Sequence, residues 1–144
     1  MKRFILMLTC CAGSLVLFAQ QDNTRREPPK AVQRSWQKEY PDRENEPWEM
    51  KNNQWHTRYK DKDHNDRAVD VYYDRNGKRK YSQTEWNRDD LPNDIRNRMH
   101  NRYHADNYTA SRIDKPGRKS YYEIKMDNNR TVYMDKQGHE TMHH

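Results

Sequence analysis

Residues 71–78 read VYYDRNGK and residues 132–139 read VYMDKQGH, the same phrase at an offset of 61. Each runs Val-Tyr-x-Asp, then a basic residue, an amide side chain and Gly. Upstream, Pro29, Val32, Trp36 and Tyr40 are matched by Pro92, Ile95, Met99 and Tyr103 at an offset of 63. A helical phrase and a strand-plus-turn phrase recurring in one order predict a fold built from two similar units.

The three-four-four spacing of each upstream set places its last three side chains on one helical face, with Pro at the start, where a missing N–H costs nothing. Helices are expected over Pro29 to Tyr40 and Pro92 to Tyr103. Beyond each helix the period drops to two. Trp55, Thr57 and Tyr59 alternate with His56, Arg58 and Lys60, and after DKDHND, Val69, Val71 and Tyr73 alternate with Asp70 and Tyr72. In the second half Tyr122, Ile124 and Met126 alternate with Tyr121, Glu123 and Lys125, and Val132 and Met134 flank Tyr133. Both stretches read as antiparallel hairpins with one buried face. Asp74 to Gly77 and Asp135 to Gly138 suit a type I turn, in which Asp bonds its own backbone and Gly takes the left-handed conformation.

The chain opens with Lys2 and Arg3 and an apolar stretch from Phe4 to Phe18, the form of a secretory signal too short for a permanent membrane anchor. Residues 1–20 are read as that signal, although Leu17 is large for its position before the cut; a lipid anchor on Cys10 or Cys11 is the rival reading. Both cysteines fall in the signal, so the mature chain has none, which excludes thiol catalysis and cysteine metal sites. Without Lys2 and Arg3, 26 of the 28 basic residues remain against 22 acids, a net charge of +4 with finely alternating signs. No basic stripe for nucleic acid emerges. The mature chain holds only eight Ile, Leu and Val residues and no Phe, a level associated with disorder. Four Trp and ten Tyr at periodic positions offset this and predict an aromatic core.

The AVQRSWQKEYP helix with a following Trp, the QWHTRYK strand, VYYDRNG, DLP before the second helix, and SYYEIKM followed by VYMDKQG resemble the PepSY-like, beta-lactamase-inhibitor-protein-like (BLIP-like) periplasmic proteins of Bacteroidetes. The similarity runs over the whole mature chain. It implies an α+β fold of two tandem repeats of helix plus antiparallel β-sheet in two layers, with no established enzymatic activity. The expected organisation is a flexible segment over 21–28 and one PepSY-like domain over 29–144, made of repeats 29–86 and 87–144. This chain is poorer in aliphatic residues and richer in Asn, Asp, Lys and Arg than that family.

Several short motifs invite chemistry. His139, Glu140 and His143 spell HExxH, which binds zinc only when a helix presents both imidazoles and a third ligand follows. Here the motif starts just after a turn glycine and the chain ends at His144, so a short strand or frayed tail is expected, with adventitious metal capture by His143 and His144. Asp61, Asp63 and Asn65 have the oxygen spacing of a calcium loop, but Asp66 replaces its Gly and Tyr72 its terminal Glu, which favours a solvated hairpin turn. Ser35, Ser82, Ser111 and Ser120 lack a nucleophile-elbow setting. His100 and His104 are one helical turn apart without a third ligand.

With the helices over Val69, Val71, Tyr73, Ile124, Met126 and Val132, the opposite face is expected to display Arg58, Asp70, Tyr72, Tyr121, Glu123, Lys125 and Tyr133. Tyrosines among mixed charges suit protein recognition, although Tyr also simply suits exposed strands. The resulting expectation is a non-catalytic periplasmic module that binds another envelope protein through this face, with no cofactor, no metal and no membrane span after signal removal. The alternatives are a small-ligand or metal-ion binder and, last, an HExxH hydrolase.

Overall fold

The computed structural model describes residues 27–43 and 46–142. The expected signal over 1–20, the segment 21–26 and the last two histidines lie outside the described residues. Helix α1 spans Lys30–Glu39 and helix α2 spans Asn93–Tyr103. Each is entered through proline, whose carbonyl takes the first helical hydrogen bonds: Pro29 accepts from Val32 and Gln33, and Pro92 from Ile95 and Arg96. The apolar spacing puts Val32 and Trp36 of α1, and Ile95 and Met99 of α2, on the buried side. Helix α2 stops where His104 turns left-handed at φ 48° and Ala105 donates back to the Met99 carbonyl.

Seven strands form one antiparallel sheet in sequential order: β1 Trp48–Lys51, β2 Gln54–Asp61, β3 Arg67–Tyr73, β4 Arg79–Trp86, β5 Tyr108–Asp114, β6 Tyr121–Met126 and β7 Thr131–Met134. The two expected hairpins are β2–β3 and β6–β7. Strands β1, β4 and β5 complete the sheet; none of the three was read from the sequence, β1 because it is only four residues long and β4 and β5 because apolar alternation fails along them. Register places Ser82 opposite Asp114 and Thr84 opposite Arg112, on the face that the helices cover. There Arg112 donates to Asp114 at 2.9 Å and to Ser120 at 3.1 Å. A polar seam therefore runs down the middle of the covered face.

On either side of it lies a separate core. The first joins Val32 and Trp36 to Trp55, Val69, Val71 and Tyr73. It is aromatic as expected: Trp36 stacks on Tyr40 at 4.3 Å and meets Trp48 edge-on at 5.5 Å, while its indole N–H donates to the Arg43 carbonyl at 2.9 Å. The second joins Leu91, Ile95 and Met99 to Tyr122, Ile124, Met126, Val132 and Met134, and depends on aliphatic chains and thioethers.

The repeated phrase forms the same turn twice. The Asp74 side chain accepts from the N–H groups of Asn76 and Lys78, and Asp135 from those of Gln137 and His139. Gly77 has φ 81° and Gly138 φ 75°. Packing adds a second demand beyond turn chemistry. A Cβ on Gly77 would overlap the Ala31 carbonyl, and one on Gly138 would sit 2.9 Å from the Asp94 carbonyl oxygen. Each turn is thus pressed against the first turn of a helix, which sets how that helix lies on its sheet.

Candidate functional site

The face away from the helices is built by the residues that alternate with the core positions on each strand, as the period of two requires. One row crosses four strands: Glu49 pairs with His56, His56 with Tyr72, and Tyr72 with Tyr81. The next row runs from Arg58 through Asp70, Gln83 and Ile113 to Tyr121. A third contains Glu85, Ser111, Glu123 and Tyr133.

Charges in the first half are linked into a chain. His56 Nδ1 lies 2.9 Å from a Glu49 carboxylate oxygen and Nε2 lies 2.6 Å from Asp70 Oδ1. Both ring nitrogens thus lie within hydrogen-bond distance of a carboxylate. Arg58 approaches the other Asp70 oxygen at 3.5 Å and also pairs with Glu85. Burial would raise the Asp70 carboxyl, but the His56 hydrogen bond and the Arg58 charge outweigh it and hold its pKa below the ordinary value. Above this network the His56 ring lies 4.7 Å from Tyr72, which stacks on Tyr81 at 4.4 Å. Burial, then the neighbouring Tyr81 and Asp70, push the Tyr72 hydroxyl up to about 12.

Two expected contact residues are therefore not displayed. Asp70 and Tyr72 are each only 7% exposed. The strand alternation puts them on the open side, but His56 and Arg58 close over Asp70, and the rings of His56 and Tyr81 enclose Tyr72 from both flanks. They are the foundation of this face. Arg58 and Lys125 are exposed, and Tyr121, Glu123 and Tyr133 are half-buried. The accessible part centres on β6 and β7, where Tyr121 meets Tyr133 edge-on at 5.9 Å and Lys125 pairs with Glu123 at 2.7 Å.

The sequence reading missed Glu49, His56, Tyr81, Gln83 and Ile113 as members of this face. His56 was legible by alternation with Thr57. Its two carboxylate partners were not, because Glu49 and Asp70 reach it only through the pairing of three strands.

The short motifs that suggest metal or hydrolytic chemistry fold into turns, a bridge and local ion pairs. Glu140 lies on an extended bridge to Met134, with the Tyr103 hydroxyl donating to it at 2.6 Å and Arg102 at 3.1 Å. His139 instead faces Asp135 at 3.2 Å, and His143 lies outside the described residues. Residues 61–66 form a short 3-10 turn with left-handed Asn65 and Asp66, in which Asp61 accepts from the Asp63 N–H. His100 pairs loosely with Asp106 at 3.6 Å, while His104 has left the helix. Among the described residues no group of three or more His, Cys, Asp or Glu is placed to hold a metal ion, and no helix is long and apolar enough to cross a membrane.

The architecture is shared with solved Bacteroides proteins. A DUF2874 family protein from Bacteroides ovatus ATCC 8483 superposes with a TM-score of 0.70 at 18% identity, over 81% of this chain and 86% of that one. A BLIP-like protein from Bacteroides fragilis NCTC 9343 gives 0.69 at 19% identity, over 84% and 88%. A Bacteroides eggerthii protein, provisionally described as periplasmic, gives 0.68 at 15% identity, over 81% and 88%. No protein-family model matches the sequence, and no curated protein matches it either. The BLIP-like resemblance is thus borne out in the fold.

Proposed function

We propose, from the fold shared with BLIP-like Bacteroides proteins, that this chain is a non-catalytic periplasmic module that binds another envelope protein through the open face of its sheet. The observation that carries this reading is the organisation of that face. Its buried ring stack and ion chain hold one end of the sheet rigid, and half-buried Tyr121 and Tyr133 stand beside exposed Lys125 at the other. Rigid aromatic anchors beside charges lose little side-chain entropy on docking. Export follows from the sequence of residues 1–20, and the fold neighbour with a provisional periplasmic description is consistent with it.

The module over 29–144 is read as two copies of one helix-plus-sheet unit, 29–86 and 87–144. Cross-strand pairing supports this. Trp55 faces Tyr73 as Tyr122 faces Met134, and Arg79 pairs with Tyr73 as Glu140 bridges Met134. The offset of 61 carries Tyr73 to Met134 and Arg79 to Glu140.

The test is pull-down from periplasmic extract with the Tyr121→Ser, Tyr133→Ser double variant. The same partner should be captured by the natural chain and lost by the variant, with the thermal midpoint almost unchanged. Equal capture by both would refute the assignment of this face.

A further inference from the structure

The seven strands are neighbours in sequence order, each antiparallel to the last, so successive connections emerge at opposite ends of the sheet. At one end lie residues 52–53, 74–78, 115–120 and 135–138; at the other lie 62–66, 87–90, 104–107 and 127–130. Contacts hold the second group together: Asp90 pairs with Arg67 at the start of β3 at 2.9 Å, and Arg88 donates to the Asp106 carbonyl.

The turns of the first end carry six cations and two carboxylates, and those of the second carry six carboxylates and three cations. Lys115 and Arg118 of the first end are engaged by neighbouring groups; without them, four cations still stand against two carboxylates. Those two, Asp74 and Asp135, accept from the N–H groups of their own turns. The four cations, Arg75, Lys78, Lys119 and Lys136, are exposed and have no ion-pair partner among the described residues, although Arg75 donates to the Asn53 side chain at 2.9 Å. At the far end Asp63, Asp66, Asp89 and Asp127 are likewise exposed and without an ion-pair partner among the described residues.

Both helices reinforce this polarity. Helix α1 starts against the Gly77 turn and α2 against the Gly138 turn, while beyond the end of α1 Arg43 donates to the Lys60 carbonyl at 2.8 Å, at the acidic end. Their positive N-termini thus lie at the basic end and their negative C-termini at the acidic one. Along the sequence the signs alternate finely, because the meander sends consecutive turns to opposite ends.

We propose that copies of this chain associate head to tail, with the four exposed cations of one copy against the four exposed carboxylates of the next. Such a contact is heterologous: it uses opposite ends of each copy and propagates as an open chain instead of stopping at a dimer. Being built from exposed charges, it is weak and screened by salt. The open face of the sheet runs along the side of such a chain and stays accessible, so this inference stands apart from the function proposed for that face.

The test is sedimentation equilibrium of the mature chain over a concentration series at about 20 mM and about 500 mM salt. At low salt the average mass should climb with concentration through a ladder of species, and at high salt the chain should be monomeric. Lys78→Glu, Lys119→Glu, Lys136→Glu leaves both ends acidic, and Asp63→Lys, Asp89→Lys, Asp127→Lys leaves both basic. Each triple variant should lose at least about tenfold in association constant at an unchanged thermal midpoint. All six substitutions together restore opposite ends at the natural net charge, and self-association should return. A natural chain that stays monomeric at low salt overturns the proposal without recourse to any variant, including where it instead sediments with phosphatidylglycerol vesicles. So does association that survives high salt, a folded sixfold variant that fails to associate, or a fixed dimer with no larger species.

Discussion

His56 Nε2 and Asp70 Oδ1 lie 2.6 Å apart on adjacent strands, with side chains only 7% and 10% exposed. This buried contact, on the face away from the helices, makes one half of the open sheet a second small packed region. Asp70→Asn keeps the shape but removes the charge, leaving His56 with Glu49 alone. The expected loss is about 1–3 kcal/mol, the cost of weakening a buried hydrogen-bonded charge, measured by urea unfolding.

The same pair sets a pH dependence. The Asp70 pKa is lowered in the folded chain, so its contribution is complete above the unfolded carboxylate value of about 3.9 and falls away as pH drops through the folded value. The stability difference between the natural chain and Asp70→Asn should shrink as pH falls below about pH 4. A difference that grew on acidification would refute the assigned sign.

Tyr72 and Tyr121 occupy the same face and should behave oppositely on truncation. Tyr72 is sandwiched between His56 and Tyr81, so Tyr72→Ala should cost about 3 kcal/mol or more, as for other buried rings. Half-buried Tyr121, truncated to Ser, should cost about 1 kcal/mol or less. Denaturant midpoints of the two single variants decide the matter.

The turn glycines permit a graded test. Gly77→Ala should be the most harmful, because it adds overlap with the Ala31 carbonyl to the strain of positive φ; Gly138→Ala should follow, at its 2.9 Å approach to Asp94. Gly117 also has positive φ but nothing within 4 Å of an added Cβ. Its Ala variant should lose only the conformational term of about 1 kcal/mol. Thermal midpoints of the three variants should rank in that order.

Two cores divided by a polar seam should respond independently. Trp36→Ala should cost about 3–5 kcal/mol and Met99→Ala about 2–5 kcal/mol. If the Arg112, Asp114 and Ser82 seam insulates them, the double variant should be additive to within about 0.5 kcal/mol, read by urea titration of all four proteins in the same stabilising osmolyte.

Much of this protein was written in local pattern. The three-four-four spacing after a proline determined both helices and their buried faces, since a helix side chain's direction depends only on its place in the turn. Alternation determined which side of the sheet Tyr73 and Ile124, or Arg58 and Lys125, would occupy. The Asp-to-Gly phrase determined both hairpin turns, because turn conformation is set within four residues. Depth was another matter. Asp70 and Tyr72 sit on the expected side yet are buried, because burial depends on which residues neighbouring strands place alongside. Register, bulge and the end of a ladder join residues tens of positions apart. The tertiary structure alone decided that His56 would bridge two carboxylates, and that one core would be rings and the other thioethers.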